Sequence, residues 1–263
     1  MSLRSPLTPI LAVVILGATC TAAEAQWWLD VPQGSIPRTS SGEPDLTAPA
    51  PRTADGRPDL SGIWEPIKTY STNLTADLVT PGEVPFQPWA KALADERATG
   101  SQSRNDPPAQ CLPQGVPRLA GAPAPWKIVQ TPGLTVIIYE AFGLWRQVFT
   151  DGRRLAAKVN PTWLGYSTGR WDGDTWVVDT RGFNGKTWLD QVGKPSTEQL
   201  HVIERYRRVD FGHMEIDVTI DDPGAYTAPW TVKQRANLLA DSELLEFVCN
   251  ENNRDLAHLP GGD

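Results

Sequence analysis

His201 and Glu204 pair the two side-chain types that most often move protons in enzymes, and Asp190, upstream, is of the type that orients an imidazole. Tyr166 adds a hydrogen-bond donor. Arg146 and Arg170 offer forked donors for an anionic or polyhydroxylated ligand. Trp163, Trp188 and Tyr139 supply flat walls for stacking a ring. Together these types spell acid–base chemistry on a small organic molecule without metal or cofactor, as in a hydrolase, lyase or isomerase.

Each has a plainer use. Glu204 interrupts the apolar face made by Leu200, Val202 and Tyr206, and a carboxylate buried alone there is costly. It is either paired with an arginine, Arg146 or Arg170, or is a carboxyl with a raised pKa on a pocket floor. His201 can equally be an ordinary strand residue, with Asp190 capping a loop. The rival function is a non-catalytic carrier of an apolar or aromatic ligand; a third is a structural envelope protein that docks a partner through its proline-rich arm.

Several chemistries lack their residues. Three histidines and cysteines without His or Cys neighbours at ligand spacing leave no material for a zinc site. A net charge of −7 argues against nucleic acid and anionic membranes as partners. Ser167 satisfies G-x-S-x-G but lies in an expected strand rather than at a strand-to-helix elbow, and no glycine loop of dinucleotide or phosphate-binding type is present.

The elements that must position these residues read as β from Trp126 onward. Alternating side chains predict strands over 127–131, 134–140, 144–150, 163–171, 175–181, 200–210, 213–220, 230–237 and 244–250. Pro132-Gly133, Asp172-Gly173, Phe211-Gly212 and the run from Asp221 to Gly224 supply turns. Consecutive short strands joined mostly by tight turns imply an antiparallel meander, which loses its edges by closing into an up-and-down barrel. Strand 134–140 is apolar on both faces, which suggests a cover, supplied by the helix, on its outer side. Eleven tryptophans add large apolar area for its core. The segment 182–199 is too long for a hairpin turn and reads as a lid over the barrel mouth.

Before the barrel, Phe86, Trp89, Ala90, Leu93 and Ala94 recur at helical spacing, predicting one helix near 86–99. Residues 26–58, rich in Pro, Ser, Thr and Gly, read as an extended arm with little packing of its own. Residues 1–25 read as a signal peptide: Arg4, an apolar run over 10–17, and the cleavage pattern Ala23-Glu24-Ala25, giving a mature chain from Gln26 that loses Cys20. The setting is then periplasmic or secreted, with no membrane insertion of the mature chain and no cofactor. Residues 59–263 form a single domain. In an oxidising compartment Cys111 and Cys249 are most economically one disulfide, with two buried thiols as the alternative.

Gly62-Ile63-Trp64, ahead of the meander, resembles the G-x-W start of lipocalin-type barrels, a resemblance that implies a tryptophan plugging one end. The run Cys111-Leu112-Pro113, the stretch Gly169-Arg170-Trp171-Asp172-Gly173-Asp174-Thr175 and the close Val248-Cys249-Asn250-Glu251-Asn252 resemble an uncharacterised family of exported bacterial proteins. That resemblance implies a periplasmic setting and no particular activity.

Overall fold

A computed structural model describes residues 36–155, 158–251, 258 and 260. The expected signal peptide and the first part of the arm lie outside the described residues.

Nine strands close into one barrel: β1 (Gly62–Pro66), β2 (Trp126–Thr131), β3 (Leu134–Tyr139), β4 (Leu144–Phe149), β5 (Tyr166–Asp172), β6 (Thr175–Arg181), β7 (His201–Arg208), β8 (His213–Asp221) and β9 (Trp230–Leu238). The mainly β, up-and-down, lipocalin-like barrel with one α-helix among the described residues is what the alternation predicted. Two details differ. The ninth strand is β1, which pairs with both β2 and β9, whereas 244–250 forms no strand and instead carries Cys249 to Cys111. Alternation alone could not exclude 244–250, but β1 already takes the place between β2 and β9. Secondly, β4 and β5 run parallel, paired at Val148 with Ser167 and Phe149 with Thr168. The chain between them returns from one end of the barrel to the other before re-entering the sheet.

Side-chain alternation divides the wall cleanly. Trp64, Trp126, Ile137, Val148, Trp176, Val178, Val202, Tyr206, Ile216, Val218 and Val232 are buried inside. Burying such aromatics removes roughly 150–250 Å² of surface apiece from water, the largest apolar contribution here. The turn at Asp172-Gly173 is tight because Gly173 adopts φ 59°, the left-handed conformation that glycine tolerates best.

Each end of the barrel has its own closure. At the end carrying the β2–β3, β5–β6 and β7–β8 turns, Trp64 is fully buried, donates Nε1 to the Leu60 carbonyl, and lies 4.9 Å beneath the Arg208 guanidinium. Trp64 and Arg208 together close this end of the barrel on the β1 side. Burial lowers the Arg208 pKa to about 10, and its donors reach the carbonyls of Asp59, Ser61, Asp210 and Phe211. The described part of the arm is more ordered than its composition suggests: Phe211 and Gly212 donate backbone hydrogen bonds to Ala48 and Leu46. Free backbone amides at the β7–β8 turn thus give the arm a partner, which a composition count does not register.

At the opposite end lies α1 (Pro88–Ala98), started by Pro88 and followed by Gly100. Its anchors are Gln87 N to the Ala225 carbonyl (2.8 Å) and Trp89 Nε1 to the Gly224 carbonyl (3.0 Å). The helix therefore sits over the β8–β9 connection, as a cap, and Ile138 on the outer face of β3 is left exposed. Cys111 and Cys249 are disulfide-bonded across 138 residues.

Candidate functional site

Inside the barrel Glu204 is 1% exposed and Arg146 2%. Arg146 Nη2 donates to Glu204 Oε2 at 2.6 Å and to Thr180 Oγ1 at 2.5 Å, while Nε donates to Ser167 Oγ at 2.9 Å. Tyr206 donates its hydroxyl to the other carboxylate oxygen, Oε1, at 2.8 Å. Burial works against the Arg146 charge, but the Glu204 carboxylate outweighs it and holds the guanidinium pKa above its ordinary value. Burial pushes the Tyr139 phenol up to about 12 and raises Tyr206 well above its usual range. Of the two partners open to Glu204, then, Arg146 is the one it has. Both carboxylate oxygens are occupied, so the Glu204 side of this buried ion pair is satisfied, while Arg146 Nη1 is left without a hydrogen-bond partner among the described residues.

His201 points the other way, since neighbours along a strand alternate faces and Glu204 is three positions on. On the outer wall His201 Nε2 lies 3.0 Å from Asp179 Oδ1 and Nδ1 lies 3.1 Å from Arg181 Nη2. A guanidinium can only donate, so Nδ1 accepts and Nε2 carries the proton toward Asp179. With both ring nitrogens engaged, His201 has no free position for a substrate proton. Its hydrogen bond and the nearby Arg170 hold Asp179 below the usual carboxylate pKa despite opposing burial.

The remaining expected residues scatter. Asp190 is not beside His201: it is fully buried and accepts from Leu74 N (2.9 Å), Gly193 N (3.1 Å), Lys194 N (3.2 Å) and Lys194 Nζ (2.8 Å). Asp179 takes the place expected for it against the imidazole. The segment 182–199 does fold over a barrel end, the one beside α1, but as a fixed part: Trp188 is 4% exposed with the Arg97 guanidinium 4.2 Å from its ring centre, and Gln191 N and Val192 N bond the carbonyls of Ser71 and Thr72. Tyr166 lies outside the barrel, its hydroxyl accepting from Arg153 Nη1 at 3.0 Å. Arg170 is largely exposed and paired with Asp179. Trp163 is half-buried and precedes β5. Tyr139 is inside with Arg146 and Glu204. The expected acid–base set is therefore divided among the barrel centre, its outer wall and the segment over one end.

A pocket lies elsewhere. At the barrel end opposite α1, a cavity of about 550 Å³ is lined by the arm residues Thr53, Ala54, Asp55 and Arg57 and by Gln130, Thr131, Pro132, Gly133, Thr135, Thr150 and Trp171. Gln130, Thr135, Thr150 and Trp171 occupy inward-facing positions at strand ends, so this is the barrel mouth on the β2–β5 side, where Trp64 and Arg208 do not reach. Gln130 Oε1 accepts from Leu60 N at 2.5 Å, and its amide nitrogen has no partner among the described residues. Arg57 lies 5.9 Å above the Trp171 ring. The arm turn that brings Arg57 there is closed by Thr53 N to the Arg57 carbonyl (2.8 Å) and is tied to the barrel by Arg52 with Asp174 (3.0 and 2.6 Å). One signal for this site stood in the sequence: Gln130 and Thr135 interrupt the inward apolar series Trp126–Ile128 and Ile137–Tyr139 on either side of Pro132-Gly133. A second, more open cleft of about 800 Å³ lies outside the wall by Asn160, Arg181, Phe183 and Glu198.

No family model matches the chain, and neither a curated protein nor a solved structure is found to match it.

Proposed function

We propose that this protein is an exported binding protein that holds a small ring-bearing molecule in the mouth of its barrel. The observation that carries the reading is the cavity of about 550 Å³ walled by Trp171 and rimmed by Gln130, Thr135, Thr150 and Arg57. Its size falls within the range of small-molecule sites, roughly 300–1,000 Å³, and a flat aromatic wall with a few polar groups is how such sites fix a ligand. Support for export comes from the charged and apolar features of residues 1–25 and from the disulfide, which persists in oxidising compartments. Acid–base catalysis is less well supported, because His201 and Glu204 lie on opposite faces of β7 with their polar atoms already engaged.

The test is a titration of intrinsic tryptophan fluorescence against a panel of one- and two-ring aromatic compounds. A saturable change that disappears in Trp171→Leu and survives in Trp145→Leu is expected, since Trp145 is 60% exposed on the outer wall. Retention of the full change in Trp171→Leu would rule the mouth out.

A further inference from the structure

We infer that the mouth pocket selects a flat ring that bears a carboxylate, with the ring laid on Trp171 and the carboxylate gripped by Arg57. This rests on the mouth being the ligand site and adds the chemical class of its occupant.

The charged partner comes first. Arg57 Nε lies 3.5 Å from Asp55 Oδ2, and its two terminal nitrogens have no partner among the described residues. They form a parallel pair of donors at the pocket rim, the geometry that matches a carboxylate. Asp55 does not compete for the same role or invite a cation. It already accepts from the Thr53 hydroxyl, a bond that holds its pKa below the ordinary value, and its other oxygen faces Arg57 Nε and not the terminal nitrogens. A ligand ammonium would meet a carboxylate already in use, and would lie close to the guanidinium.

The ring follows from Trp171. It is the aromatic side chain of the lining, on the inward face of β5, and the Arg57 guanidinium lies 5.9 Å from its ring centre, so a carboxylate held by Arg57 brings its own ring to Trp171. Also lining the pocket are three groups with no described partner: the Thr135 and Thr150 hydroxyls and the Gln130 amide nitrogen, whose orientation Leu60 N fixes. They would satisfy a ring hydroxyl or carbonyl on the side away from the carboxylate. A bare hydrocarbon would leave all three unbonded on losing water, a cost that selects against it.

The test uses the full chain from Gln26 and three probes: 4-hydroxybenzoate, phenol, which lacks the carboxylate, and cyclohexanecarboxylate, which lacks the flat ring. Binding is read by calorimetry and by Trp171-dependent fluorescence. The inference expects 4-hydroxybenzoate to bind about tenfold more tightly than either partial probe, the effect of one charge-assisted contact. Arg57→Gln should bring 4-hydroxybenzoate down to the phenol level without changing phenol, and Arg57→Lys should recover part of the loss. Arg57 lies in an exposed turn outside the barrel wall, so circular dichroism of each variant should match the parent. Equal binding of phenol and 4-hydroxybenzoate, both dependent on Trp171, overturns the carboxylate selectivity and leaves the pocket reading standing. Absence of saturable binding by all three overturns the selectivity too; if the wider aromatic panel also fails, the binding reading falls with it.

Discussion

Arg146 and Glu204 face each other across the sealed interior of the barrel, Nη2 to Oε2 at 2.6 Å, with no more than 2% of either side chain exposed. Removing one partner strands the other's charge in a low-dielectric interior. Glu204→Gln should therefore destabilise the fold by about 3–5 kcal/mol, measured by urea unfolding. The double variant Arg146→Met with Glu204→Leu should recover most of that loss, since apolar pairs of similar volume replace buried ion pairs at little cost. If Glu204 were instead a catalytic acid, Glu204→Gln would leave stability close to the parent's.

Glu204 also shows how far the sequence could be read. Its intrusion into the apolar face of 200–206 marked it as paired or functional, because alternation along a strand is local and shows directly in the chain. The choice between Arg146 and Arg170 was not local. It depends on β7 meeting β6 at Val178 and on the inward position of Arg146 on β4, and no short-range pattern encodes that register. The same holds for Asp190, whose partner Leu74 N lies 116 residues away. His201 was close in sequence, and proximity along the chain favoured a pairing that the alternating faces and the outward course of β7 do not allow. Strands β2 to β9 were legible in alternation and turn chemistry. The mouth was legible only in Gln130 and Thr135, which break the inward apolar series, because its far rim is an arm whose composition suggests no docking.

The disulfide joins Cys111 to Cys249, 138 positions apart in the chain. In the chain-entropy account a loop of that length contributes about 5 kcal/mol by restricting the unfolded chain. Cys249→Ser should lower the denaturation midpoint, and adding a reductant should lower the parent's midpoint to match while leaving the variant unmoved. Thiol titration of the denatured, unreduced chain from Gln26 should find no free thiol, which separates the bridge from two buried cysteines.

Asp179 gives the outer wall a pH dependence with a definite sign. Its folded-state pKa is lowered, through the His201 hydrogen bond first and Arg170 as well. A lowered carboxylate pKa means stability that is present above the unfolded value of about 3.9 and is lost as pH falls through the folded value. Unfolding free energy should thus drop on the acid side, and Asp179→Asn should remove part of that drop while changing little near neutrality beyond a constant offset. An acid limb identical in Asp179→Asn would show that other carboxylates carry it.

Gly193 is where the segment over the α1 end is most tightly constrained. Its φ of 97° is a conformation that side-chain-bearing residues rarely adopt, and a Cβ there would fall 2.2 Å from Arg97 Cβ and 2.9 Å from Arg97 Cδ. Arg97 Cβ is fixed by the α1 backbone and cannot swing clear, and moving Cδ would lift the guanidinium off Trp188, over which it lies at 4.2 Å, and break its bond to the Gly193 carbonyl at 3.3 Å. Gly193→Ala should therefore cost about 1–3 kcal/mol in backbone strain and open the segment locally as well. Limited proteolysis should cut within 182–199 faster in Gly193→Ala, and hydrogen exchange should rise at Gln191 and Val192, whose amides bond Ser71 and Thr72. The barrel mouth lies at the other end, beyond the buried tryptophans of the core, so affinity there should be unchanged. A matching loss of affinity would mean that the two ends of the barrel are coupled and that the segment over α1 does more than close it.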